Sequence, residues 1–168
     1  MRGLIDPTMM NRFAAADFGP VEVDGQLVHP MYRSDISEGD VVRIEWISAA
    51  SPRMQGLTLR LRLPDVRGSR GYGGLLAVEQ DEAPAIGLWM DSAPPVVEAR
   101  CVQLTPGAEL RISNTWRMPD GREDEWFLNY GMKIEELEDG AVVLHCSDGI
   151  GDELTFDDQV ARIAIRDG

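Results

Sequence analysis

The sequence is short of the residues from which many catalytic and nucleic-acid-binding surfaces are built. Lys133 is the only lysine among 168 residues, beside fifteen arginines, and the formal charge is −13. Phosphate backbones are held by lysine and arginine, so a balance this acidic argues against nucleic acid and anionic membranes as partners. It permits a basic protein partner or cations. The arginine-to-lysine imbalance reads as a bacterial genome bias. There are two histidines, His29 and His145, and two cysteines, Cys101 and Cys146. Cysteines this far apart make no metal or redox spacing. Both fall in strand-like runs, where cysteine serves as a small buried hydrophobe, and a disulfide is open to them only if their strands are neighbours. No apolar run approaches the ~18–20 residues of a membrane span. The opening Met1–Pro7 has no apolar stretch of the secretory kind. The expectation is a cytoplasmic chain.

Helix signals are scarce too, and confined to residues 1–20. Asp6-Pro7 reads as an N-cap with proline in the first turn. Met9, Met10, Phe13 and Ala14 then make one apolar face of a two- to three-turn helix, and Gly19-Pro20 ends it. Such a helix covers one end of a sheet or, being rich in methionine, serves as a contact between copies in a homo-oligomer.

From Val21 the punctuation is that of strands. Asp24-Gly25 and Asp139-Gly140 are two-residue hairpin signals. Leu57, Leu59, Leu61 and Leu63 alternate with Thr58, Arg60 and Arg62, the cleanest strand in the chain. Trp126–Tyr130 and Met132–Leu137 read as two strands, or one bulged at Gly131. About ten to twelve short strands with regular turns predict an all-β fold. The expectation is an antiparallel β-sandwich, jelly-roll-like or barrel-like, over residues 21–168, with residues 1–20 as a helical extension.

What the chain has in excess is carboxylate. Between Cys146 and Val160 lie Asp148, Asp152, Glu153, Asp157 and Asp158, with Gly149 and Gly151 among them. Five carboxylates this close repel unless solvent, an arginine or a cation neutralises them. Calcium takes six to eight oxygen ligands from a tightly curved chain. The ending Asp148-Gly149 followed by Phe156-Asp157-Asp158-Gln159-Val160 resembles the acidic loop of calcium-dependent β-sandwich lectins. Thr155 and Glu153 depart from that pattern. The resemblance implies calcium on Asp157 and Asp158, with Asp148 and Asp152 completing a metal site, and a glycan as ligand. Trp126, beside a second acidic turn, and Glu153 are the candidate ligand-binding residues.

Catalytic patterns are thin. His145 and Cys146 are adjacent on a strand, so they face opposite ways and cannot serve one site. His29 reads as a strand-end histidine. The sequence therefore points to a non-catalytic binding module organised by the Asp148–Asp158 loop. Two other readings stand beside it: an acidic interaction partner, such as an inhibitor or immunity protein for a basic target, and a hydrolase with a carboxylate pair.

Overall fold

The computed structural model describes residues 8–63, 71–149 and 154–168. Among the described residues there is one helix, α1 (Met9–Ala15), capped by Thr8, whose hydroxyl accepts from the Asn11 amide at 3.3 Å. The sequence placed the cap at Asp6, which lies outside the described residues. Met9 and Phe13, one turn apart, are the buried residues of α1. Beyond it Asp17 and Phe18 adopt positive φ, which ends the helix before Gly19-Pro20.

The strands are β1 (Val21–Val23), β2 (Gln26–Val28), β3 (Tyr32–Asp35), β4 (Val41–Ser48), β5 (Met54–Arg62), β6 (Leu75–Val78) and β7 (Asp81–Ala83). They continue as β8 (Ala85–Trp89), β9 (Val96–Val102), β10 (Glu109–Arg117), β11 (Glu123–Asp124), β12 (Asn129–Glu136), β13 (Val142–Gly149) and β14 (Gln159–Arg166). All pairings are antiparallel. The large sheet runs β12-β13-β14-β4-β9-β6-β7. In the small sheet β5 lies between β8 and β10, and the far side of β10 is shared by β3 and β11. The two sheets pack as a sandwich and do not close into a barrel, so β12 and β3 remain edges. β1 and β2 form a separate hairpin around Asp24-Gly25, as the sequence predicts.

The core lies between the sheets. Leu57, Leu59 and Leu61 of β5 and Leu110 and Ile112 of β10 face Val42, Ile44, Leu144, Cys146 and Ile163 of the large sheet. Leu59 and Leu61 are fully buried, as their alternation predicts. Cys101 and Cys146 are both buried and free. β14 and β4 separate their strands in the sheet, so at ~4.8 Å per strand they lie far beyond disulfide reach. A second cluster joins Met9 and Phe13 to Val28, Trp116 and Tyr130, with the Phe13 and Tyr130 rings 5.1 Å apart. Gly131 carries no bulge: β12 pairs with β13 in unbroken register through it. Glycine is required there because a Cβ would come within 2.7 Å of Val28 Cγ1 and 3.3 Å of Phe13 Cζ. Trp126–Leu128 is not a strand. Trp126 and Leu128 both take positive φ, and β12 begins only at Asn129.

Candidate functional site

The acidic loop begins inside the protein. Asp148, on β13, pairs with Tyr130 and points between the sheets, and it is 1% exposed. A lone carboxylate there would be costly, and side chains just before and at the start of β5 meet it. Arg53 Nε donates to Oδ2 at 2.9 Å and Arg53 Nη2 to Oδ1 at 3.1 Å, a two-bond fork. The Ser51 hydroxyl donates to Oδ2 at 2.6 Å and Gln55 Nε2 at 3.2 Å. The same end holds two more bonds between the sheets. Asn114 Nδ2 reaches the Ser147 carbonyl at 2.9 Å, and Gln159 Nε2 reaches the Gly56 carbonyl at 2.8 Å. Asp148 thus belongs to a polar seam that ties the large sheet to the small one.

Asp158 is drawn into the same seam. Its Oδ2 accepts from the Asp148 amide at 2.9 Å. Loss of hydration, and then the Asp148 charge, push its carboxyl above the usual aspartate range, against the pull of the Asp148 amide and the Thr155 hydroxyl. Asp157, next in the chain, is exposed. Asp152 and Glu153 lie outside the described residues. Among the described residues no three His, Cys, Asp or Glu side chains are grouped to hold a metal. Gly149 has φ +78, and a Cβ there would sit 2.3 Å from the Phe127 carbonyl, so its glycine serves a close backbone crossing.

Trp126 is 38% exposed. Its Nε1 donates to Ser113 Oγ at 3.1 Å, and the Arg60 guanidinium lies 4.8 Å from the ring centroid while also pairing with Glu125. One face of the ring is therefore occupied by an arginine.

The structure also brings together residues that the sequence reading left apart. A cleft of about 1080 Å³ opens beside β12, walled by the β1–β2 hairpin and β3. Both histidines, His29 and His145, and the only lysine, Lys133, line it. Phe18 and Leu27, half exposed, supply apolar surface along with Ile134. His145 Nε2 lies 2.9 Å from Glu135 Oε1, an ion pair when the imidazole is protonated. Burial lowers the pKa of His29. Lys133 Nζ lies 4.4 Å from the Phe156 ring centroid. Of the charged side chains that line the cleft, Glu135 and Glu136 are acidic and Arg33 and Lys133 basic, while the segments that wall it, residues 17–35 and 133–140, carry eight carboxylates in all. The signal available in the sequence was that density of acid around His29-Pro30 and the second hairpin. Alternation alone does not tell which strands become edges.

Comparison of the sequence with protein-family models and with curated proteins, and of the structure with solved structures, finds no match.

Proposed function

We propose that the protein is a non-catalytic binding protein for a cationic polypeptide, and that the cleft beside β12 is its binding surface. The observation that carries this reading is the pairing of exposed apolar side chains, Phe18 and Leu27, with Glu135 and Glu136 in one cleft of a protein whose formal charge is −13. Apolar contact gives such a surface its affinity, and the charge excess steers and selects a basic partner. The acidic loop is less suited to the role. Asp148 is engaged by Arg53, Ser51 and Gln55, and Asp158 by the Asp148 amide.

The test is selection of random dodecapeptides, displayed on phage, against the protein at about 150 mM salt, where exposed charges more than about 8 Å apart are largely screened. Enriched peptides should combine lysine or arginine with apolar residues, and the double variant Glu135→Lys, Glu136→Lys should bind them at least tenfold more weakly. Absence of enrichment, or enriched peptides indifferent to the charge reversal, would contradict the reading.

A further inference from the structure

We infer that the cationic segment docks by strand addition, pairing its backbone with Ile134 and Glu136 on the open edge of β12. This rests on the cationic-partner reading above and specifies how the partner is held. His29 and Met132 exchange both backbone bonds, at 2.8 and 2.9 Å. The N–H and C=O of Met132 therefore point away from β13. In an antiparallel pair that direction repeats every second residue, so Ile134 and Glu136 point the same way. The opposite set agrees: the Leu137 amide donates back across the hairpin to Ala141 at 2.9 Å.

The edge is open where it enters the cleft. β12 forms a ladder with β13, and among the described residues the backbone bonds on its other side are those of the His29–Met132 bridge, next to which Val28 packs on Gly131. Beyond that bridge no ladder joins β2 to β12 among the described residues, and Leu27 and Ile134 both line the cleft. β12 is thus a sheet edge with unpaired backbone groups inside a walled groove, the arrangement that strand addition uses. Charge decides the occupant. A second copy of this chain would bring another charge of −13 to the same place, whereas a basic extended segment meets a protein of opposite charge and, in the cleft itself, Glu135 and Glu136.

Two probes made from the selected dodecapeptides test this. The first carries N-methyl groups on alternate backbone amides, prepared in both phases, and the second is the unmodified peptide on the Ile134→Pro variant. Proline at 134 removes an edge-facing N–H and no bond to β13, but it also trims a side chain that packs on the core, so Ile134→Ala, which trims that side chain and keeps the N–H, is the control and should bind as wild type does. One N-methyl phase should weaken binding at least tenfold and the other leave it nearly unchanged, and Ile134→Pro should lose binding as the sensitive phase does. If both phases bind as tightly as the parent, strand addition is overturned while the cationic-cleft reading stands. If no peptide is enriched at all, both fall. A wild-type dimer in size-exclusion chromatography that Ile134→Pro dissociates would assign the edge to a second copy and overturn the proposal.

Discussion

Arg53 holds Asp148 in a two-bond fork from the opposite sheet, with Nε 2.9 Å from Oδ2 and Nη2 3.1 Å from Oδ1. Removing the arginine leaves a carboxylate 1% exposed without its main counter-charge. Breaking one side of such a buried pair costs about 3–5 kcal/mol. Arg53→Met should lose that much in urea melts. The double variant Arg53→Met, Asp148→Leu should recover part of it, because no buried charge remains. Equal losses in the single and double variants would show that the pair does not act as a unit.

Asp158 gives a pH signature. Its pKa is raised in the folded protein. Its contribution to stability is therefore full below the unfolded value of about 3.9 and is lost as the pH rises through the raised folded value. Asparagine keeps the acceptor for the Asp148 amide and removes the charge. Asp158→Asn should thus melt higher than wild type at neutral pH, with the gap closing toward pH 3. A variant that melts lower at pH 7 would contradict this.

Calcium supplies a third check. A divalent ion at a hundred times its dissociation constant would add about 2.7 kcal/mol of stability, several degrees in melting temperature for a domain of this size. With Asp148 spent on Arg53 and Asp158 on the Asp148 amide, millimolar calcium and excess chelator should give the same melting curve. A rise of several degrees that Asp158→Asn abolishes would restore the lectin-like reading of the loop.

Much of the fold was legible because its signals are local. The Leu57–Leu63 alternation, the Asp24-Gly25 and Asp139-Gly140 turns and the single helix are each written within a few residues. The barrel alternative could not be set aside from the sequence, since closure depends on which strands bond at the two sheet ends. The site was less legible. Asp148 and Arg53 lie 95 residues apart, and nothing in the acidic loop itself announces that an arginine from another sheet will neutralise it. Lys133, His29 and His145 share a cleft only because β12 and the β1–β2 hairpin meet at one sheet edge.

Amide hydrogen exchange in the free protein checks the state of that edge. Lys133 and Glu135 donate toward β13 and should exchange slowly. Ile134 and Glu136 face the cleft and should exchange faster by an order of magnitude or more. Uniform protection along β12 would mean that the edge is already covered.

The claim that the cleft, and not the acidic loop, is the binding surface is tested most directly by chemical-shift mapping. A selected cationic peptide would be titrated into the 15N-labelled protein at about 150 mM salt, where exposed charges more than about 8 Å apart are largely screened. The predicted result is saturable shifts at Phe18, Leu27, Lys133, Ile134 and Glu136. Shifts gathered instead at Trp126, Asp157 and Asp158, with the cleft silent, would contradict it.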